Sequence, residues 1–151
     1  MFKKRTNLIF FNKTRKFLFI FAPIKYEMMN ELMKNLSKDT DGMLTYEYIV
    51  NNIGECDDVM VDLIANMKRV DCSGQFVAST ARYLAAIDRE HFSLYISMLI
   101  EAVIEKDRER KYISSLLKGI WGDDYMERAD ELRESDDNFR RIYKRLYPSG
   151  M

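Results

Sequence analysis

Apolar residues recur at helical spacing along residues 28–147, and this periodicity restricts the fold more than any other feature of the chain. Met60, Leu63, Ile64 and Met67 are one example, with steps of three and four residues that place side chains on one helix face. The chain has only six Gly and two Pro, too few for the many tight turns of an all-β protein. We therefore predict an all-α fold, a compact bundle of about seven or eight short helices.

The same periodicity sets approximate limits for each helix. We predict helices over 28–37, 45–53, 57–70, 73–87, 89–106, 107–121, 124–133 and 136–147. Side chains that suit N-caps open most of them: Thr45, Asp57 or Asp58, Ser73, Asp88, Asp107, Asp124, and Ser135 or Asp136. Asp124 and Glu127 have the spacing of a capping box, and Pro148 ends the last helix.

A weak internal repeat relates two parts of this pattern at an offset of 36 residues. Its first part aligns Met60, Leu63, Ile64 and Met67 with Ile96, Leu99, Ile100 and Val103. Its second part aligns Asp71, Phe76, Val77, Ala81, Leu84 and Asp88 with Asp107, Tyr112, Ile113, Leu117, Ile120 and Asp124. Two stacked helical hairpins would produce this repeat, although solenoids need about three units. An ordinary bundle and stacked hairpins both fit the sequence.

Charge divides the chain into a basic leader, residues 1–27, and an acidic helical domain, residues 28–151. The first acidic residue is Glu27, and seven Lys or Arg precede it. The domain therefore holds 17 of the 24 basic residues and 23 of the 24 acidic ones, a net charge of −6. We expect the leader to be irregular or appended to the domain.

Three interpretations of the leader stay open. It is a spurious extension if translation starts at Met28 or Met29, a membrane anchor or targeting segment, or a genuine structural element that forms a hairpin. Its longest apolar run, Phe17–Ala22, is too short to span a membrane, and no cleavage site of small residues follows it.

The two cysteines indicate a reducing compartment. Cys56 and Cys72 are separated by a predicted helix, which would hold their Cα atoms about 20 Å apart or more, too far for a disulfide. We expect both to be small buried hydrophobic residues in a protein of the bacterial cytoplasm.

Residues Ser37–Tyr48 resemble a calcium-binding EF-hand loop. Asp39, Asp41 and Gly42 match the family's third, fifth and sixth positions. Ser37 and Tyr48 stand where the family has its first ligand and its bidentate carboxylate. We therefore expect an acidic turn whose Asp and Gly satisfy backbone groups.

Nothing in the sequence predicts catalysis. The only histidine, His91, lies in Asp88-Arg89-Glu90-His91 without the ligand spacing of a metal site, and we expect it at the surface. No nucleophile elbow, phosphate loop, dinucleotide fingerprint or Cys/His metal pair appears. We expect no enzyme activity, no cofactor and no metal.

The C-terminal segment holds the strongest candidate for a binding site. On a helix, four apolar residues share one face: Phe139, Ile142, Tyr143 and Leu146. A basic stripe flanks them, and we name it as a candidate contact with a partner or with phosphate: Arg140, Arg141, Lys144 and Arg145. The other interpretation is a terminal helix whose cations complement its dipole and the acids before it.

We expect a non-enzymatic protein that acts through protein–protein contacts, as an adaptor, inhibitor or accessory factor. Several tyrosines near helix ends agree with a contact surface: Tyr46, Tyr48, Tyr125 and Tyr147. The alternatives are a nucleic-acid-associated protein that uses the basic C-terminal helix and a membrane-associated protein held by the leader. The net charge of −6 opposes approach to nucleic acid.

Overall fold

The structure, a computed structural model, describes residues 23–149 and is helical throughout that range, with turns between the helices and no strand. A first helix, α1, covers 23–36. A short 3-10 helix covers Asp57–Val59. The other helices are α2 Met43–Asn51, α3 Met60–Val70, α4 Gln75–Asp88, α5 Ser93–Lys106, α6 Ser114–Trp121, α7 Ala129–Ser135 and α8 Asp137–Leu146. The prediction of an all-α bundle with eight helices is confirmed for the described residues.

The chain divides into two compact units, residues 1–38 and residues 39–151. In the first unit, α1 begins by residue 23, about five residues before the predicted start of this helix. The last part of the leader, 23–27, is therefore helical and not irregular. The remainder of the leader lies outside the described residues.

The second unit builds its core from two rows of helices. In one row α2 contacts α4, and α4 contacts α6. In the other, α3 contacts α5, while α8 packs against both α5 and α6 and pairs with α7. The largest fully buried side chains come from most of these helices: Ile49, Met60, Leu63, Ile64, Met67, Leu84, Leu99, Ile100, Ile113, Leu116, Leu117 and Phe139.

Three buried aspartates organise the turns between these helices, and we call the segments 39–42, 71–74 and 107–110 the aspartate turns. The carboxylate of Asp71 accepts hydrogen bonds from the backbone N–H groups of Ser73, Gly74, Phe76 and Val77, at 2.8–3.1 Å. It thus satisfies donors at the start of α4 that have no partner inside the helix.

The other two turns follow the same arrangement. Asp39 accepts from the N–H groups of Gly42 and Thr45 at 3.1 and 3.0 Å, and Asp107 accepts from Tyr112 and Ile113 at 2.6 and 2.7 Å. All three aspartates are almost inaccessible to solvent. Their carboxylates are therefore part of the folded core and not of an acidic surface.

The turns also lie against one another. Gly42 has a φ of +97°, and a Cβ built on it would stand 3.1 Å from the Cβ of Asp71. Gly74 has a φ of +86°, and its Cβ would stand 3.5 Å from the Cβ of Asp107. Each glycine thus provides a left-handed backbone and a close approach to the next turn.

The internal repeat corresponds to a shared local structure. Asp71 and Asp107, aligned at the offset of 36, bind the aligned pairs of N–H groups, those of Phe76 and Val77 and those of Tyr112 and Ile113. The turn between α3 and α4 therefore has a counterpart in the turn between α5 and α6. Asp39 adds a third turn of this kind that the offset did not detect, because it precedes Asp71 by 32 residues.

Several predicted helix starts are wrong by a few residues. Asp107 and Asp124 do not open helices directly, because turns separate them from α6 at Ser114 and α7 at Ala129. No side-chain cap bonds the start of α7, so the capping box of Asp124 and Glu127 does not form there. Asp136 is the N-cap of α8, as predicted, and accepts from the N–H of Phe139 at 3.0 Å.

The two cysteines are free, and they differ in exposure. Cys56 is buried, as predicted, and burial together with the nearby charge of Asp57 raises the pKa of its thiol. Cys72 is exposed, which corrects the prediction for this residue. It lies at the surface because it follows Asp71 in an aspartate turn, where the aspartate points inward.

Between residues 23 and 149, none of the helices combines the length and the apolar composition that crossing a membrane requires.

Candidate partner-binding groove

The C-terminal hairpin of α7 and α8 is anchored by side chains distant in sequence. The Asp136 carboxylate accepts from the indole Nε1 of Trp121 at 2.8 Å and from the Arg89 guanidinium at 2.9 Å. The Arg89 guanidinium also lies 5.4 Å from the Trp121 ring centroid. Asp136 therefore caps α8 and at the same time connects it to α6 and to the end of α4.

Aromatic packing fixes the rotation of α8 about its axis. Phe139 is fully buried, and its ring meets Trp121 edge-to-face with centroids 5.2 Å apart. Tyr143 stacks on Phe139 at 5.6 Å, and Tyr147 follows Tyr143 at 4.7 Å. This row of rings runs from the core to the surface, because Tyr147 retains 36% of its exposed area.

A groove of about 570 Å³ opens beside these rings between α7 and α8. We call it the C-terminal groove. Its lining combines aromatic, basic and acidic side chains from the two helices and the residues that follow them: Asp130, Arg133, Glu134, Arg140, Tyr143, Lys144, Tyr147 and Pro148. The volume lies within the range of about 300–1,000 Å³ that is usual for ligand pockets.

Tyr143 and Tyr147 form the aromatic wall of the groove, and both interact with residues outside α8. The Arg133 guanidinium lies over the Tyr143 ring, 5.1 Å from its centroid, a favourable cation–π placement. On the other side, burial raises the pKa of Tyr125, and a hydrogen bond to Tyr147 raises that pKa further. Tyr143 thus has contacts with both Arg133 and Phe139 in this wall.

The structure places the four predicted basic residues on α8 but does not bring them together in one site. Arg140 and Lys144 line the groove. Arg141 is exposed and Arg145 half-buried, and neither lines it. The predicted stripe is therefore two pairs of cations on two sides of the helix.

Ion pairing separates these cations further. Arg140 pairs with Asp137 and also donates to the backbone carbonyl of Arg133 at 3.2 Å. Arg133 pairs with Asp130. Among the described residues, Lys144 has no ion-pair partner. Lys144 is consequently the groove's available positive charge.

The other motifs weighed in the sequence take structural roles. The acidic turn predicted at 39–42 is confirmed, since Asp39 directs its carboxylate onto backbone N–H groups and the Thr45 hydroxyl. His91 is exposed, as predicted, and its Nε2 lies 2.8 Å from Asp57. Asp88 accepts from the His91 N–H at 3.0 Å, so it acts as a local cap.

Sequence reasoning missed the contribution of α7 to the groove. Arg133, Asp130 and Glu134 become neighbours of α8 only through the tertiary pairing of the two helices. The one available signal was the spacing of Asp130 and Arg133, which suits an ion pair within a helix. Across residues 23–149, no group of three or more His, Cys, Asp or Glu side chains is arranged to hold a metal ion.

No known protein family, curated protein or solved structure matches this chain.

Proposed function

We propose that this protein acts without catalysis by binding a partner protein in the C-terminal groove, as an adaptor, inhibitor or accessory factor. The observation that carries this proposal is the combination, in one groove, of an exposed aromatic edge at Tyr147 and the Lys144 ammonium, which forms no ion pair with any residue of 23–149. The partner that suits this lining is a short segment with an aliphatic or aromatic side chain next to an acidic one.

The charge distribution favours such a segment over nucleic acid. Glu134 lines the groove and has no ion pair among the described residues, so its carboxylate would repel a continuous phosphate backbone. Arg141 and Arg145 lie outside the groove. A peptide with a single carboxylate can approach Lys144 and place an apolar neighbour on Tyr147, and tyrosine is a residue enriched at protein interfaces.

Photo-crosslinking from the groove tests this proposal directly. A photoreactive amino acid replaces Tyr147 in the full chain, which is expressed and illuminated in its own cells. We expect one dominant protein adduct, lost when Lys144→Glu is added, because this change reverses the charge that receives the partner's carboxylate. The same photoreactive residue at Arg141, exposed on the same helix but outside the groove, is the control.

The outcome distinguishes the proposal from its alternatives. Equal adducts from both positions, or an adduct that survives Lys144→Glu, would reject the groove as the binding site. Nucleic acid as the main adduct, lost at high salt or on changing Arg140, Arg141, Lys144 and Arg145 to Ala, would favour the nucleic-acid alternative. A membrane role held by the leader requires residues 1–27 to be present in the cell and the protein to pellet with membranes, and 1–22 of this leader lie outside the described residues.

A further inference from the structure

A second cleft lies between two of the aspartate turns, away from every residue of the C-terminal groove. Its volume is about 290 Å³. One side comes from the turn after α3, and the other from the turn after α5. The lining residues are Cys72, Ser73, Lys106, Asp107, Arg108, Glu109, Lys111 and Tyr112. We call it the basic cleft.

Four cations are concentrated within six residues at this cleft. Lys106, Arg108 and Lys111 line it, and Arg110 stands exposed beside them. None of the four has an ion-pair partner among residues 23–149. The Lys111 ammonium lies 5.2 Å from the Tyr112 ring centroid. The segment thus gathers positive charge in a domain whose net charge is −6.

Among the described residues, neither acid of the cleft lining forms an ion pair with these cations. Both oxygens of Asp107 are engaged by backbone N–H groups, those of Lys111 at 3.0 Å, Tyr112 at 2.6 Å and Ile113 at 2.7 Å. The Asp107 carboxylate is thus directed into the fold. Glu109 is the other acid of the lining and has no ion pair within the described range. The lining therefore holds three cations and two acids, and the carboxylate of one of these acids is bound to backbone N–H groups.

The conformation of Arg110 adds a separate observation. In the first two aspartate turns, the third residue after the aspartate is a glycine with positive φ, Gly42 or Gly74. In the last turn that position is Arg110, with a φ of +59°. A residue with a Cβ is disfavoured there by about 1 kcal/mol or more. The turn therefore keeps a cation where the backbone would be more stable with glycine, and such local strain is typical of binding sites.

We propose that the basic cleft binds the phosphate group of a small phosphate monoester. A dianion would meet the charges of Lys106, Arg108 and Lys111 together, and guanidinium and ammonium groups make strong charge-assisted hydrogen bonds to phosphate. The cleft's neutral donors are already engaged, since the Ser73 hydroxyl donates to Asp71 at 3.1 Å and the Tyr112 hydroxyl to Gln75 at 3.4 Å. Recognition therefore depends on the cations, and a cleft of about 290 Å³ accommodates a phosphate with a small body.

The Cys72 thiol can report phosphate binding, because its rate of alkylation depends on access to the cleft. Its thiol lines the cleft and is exposed, whereas Cys56 is buried to 1% exposure. Neutral iodoacetamide should alkylate Cys72 selectively, and inorganic phosphate should slow this reaction in a saturable way. Chloride at the same ionic strength should not, because screening alone leaves the cleft open. Glycerol 3-phosphate and a phosphoserine peptide, as further probes, distinguish a free monoester from a phosphorylated protein.

Matched variants locate the effect. Arg108→Gln with Lys111→Gln should weaken phosphate protection about tenfold or more, since two charge-assisted contacts are lost. Arg141→Gln with Arg145→Gln removes the same charge on α8, outside both the basic cleft and the C-terminal groove, and should leave protection unchanged. Arg110→Gly should raise the Tm without phosphate and weaken the protection, because it relieves the strained backbone and removes a cation.

Three results would overturn the proposal: no protection at all, protection by chloride equal to that by phosphate, or equal loss in both double variants. Selective alkylation of Cys72 without phosphate shows in the same experiment that the variants are folded, because unfolding would expose Cys56 as well.

Discussion

The aspartate turns and the C-terminal hairpin use the same side chain in opposite ways. The Asp71 carboxylate accepts hydrogen bonds from backbone N–H groups that lie within six residues of it in sequence. Asp136 accepts one such bond, and its other oxygen reaches Trp121 and Arg89, which lie 15 and 47 residues away. The turns are therefore a repeated local solution, whereas the hairpin depends on long-range side-chain contacts.

This difference explains which side chains near each aspartate are exposed and able to bind a ligand or partner. In an aspartate turn, the carboxylate binds backbone N–H groups that closely follow it in the sequence. The neighbouring side chains face solvent, as Arg108 and Arg110 do beside Asp107. At the hairpin, the long-range contacts of Asp136 instead position the row of rings that ends at Tyr147. The side chains that line the C-terminal groove and the basic cleft therefore include ones that neither arrangement engages, such as Lys144 and Arg108.

Replacing the aspartate by alanine in each region tests the comparison with the largest expected effect. Asp71→Ala leaves four backbone donors without a partner, two of them at buried positions, and should destabilise the protein by about 3 kcal/mol. Asp136→Ala removes contacts that are partly exposed to solvent and should cost about 1–2 kcal/mol. Urea unfolding followed by circular dichroism measures both.

The control for this pair is Asp62→Ala, an exposed aspartate in the first turn of α3, which should change stability by about 0.5 kcal/mol or less. If Asp136→Ala costs more than Asp71→Ala, the turns are not the stronger element, and the comparison is wrong.

The close stacking of the turns is tested by Gly42→Ala against Gly54→Ala. At Gly42 the new Cβ would meet Asp71 and Phe76 at 3.1 and 3.2 Å on a backbone with positive φ. At Gly54 it would meet nothing within 4 Å. We expect a loss of about 2 kcal/mol for Gly42→Ala and little change for Gly54→Ala. Equal thermal unfolding of the two variants would contradict the stacked arrangement.

The long-range anchor of the hairpin is tested by Trp121→Phe. Phenylalanine retains an aromatic ring beside Phe139 but cannot donate to Asp136, so the cost should be about 1 kcal/mol. Adding Trp121→Phe to Asp136→Ala should then cost less than the sum of the two changes, because they remove one shared bond. Additive losses in a double-mutant cycle would show that the bond contributes nothing to stability.

The smallest expected effect is the loss, at acidic pH, of the stability that Asp39 contributes to the first aspartate turn. Burial alone raises the pKa of Asp39, but hydrogen bonds from Thr45, Asp41 and Gly42 outweigh burial and lower it below its usual 3.8. A lowered folded-state pKa stabilises the protein above the unfolded pKa, and this contribution is lost as the pH falls through the folded pKa.

Thr45→Val removes one of the donors that lower this pKa. The stability difference between wild type and Thr45→Val should therefore be largest near neutral pH and narrow below about pH 4. Urea unfolding at several pH values measures it, with Thr40→Val, at an exposed position, as the control. A difference that stays constant with pH would show that the Thr45 hydroxyl does not act through Asp39.

The all-α fold class and the identity of the buried residues were predictable from the sequence, because both depend on the local spacing of apolar residues. Every apolar residue aligned by the first part of the repeat, from Met60 to Val103, is buried. The capping box at Asp124 failed because a turn precedes α7. The sequence pattern could not distinguish a capping box from a turn, since both use Asp and Glu near a helix start.

The sequence alone determined that residues 28–147 fold into helices, that the face of α8 with Phe139 and Ile142 is buried, and that Ser135 or Asp136 caps this helix. Only the tertiary structure decided that Lys144 and Tyr147 share a groove with Arg133, and that three aspartate turns pack on one another. The reason is physical: periodicity and caps act within about one helical turn, whereas grooves and clefts arise where elements distant in sequence meet.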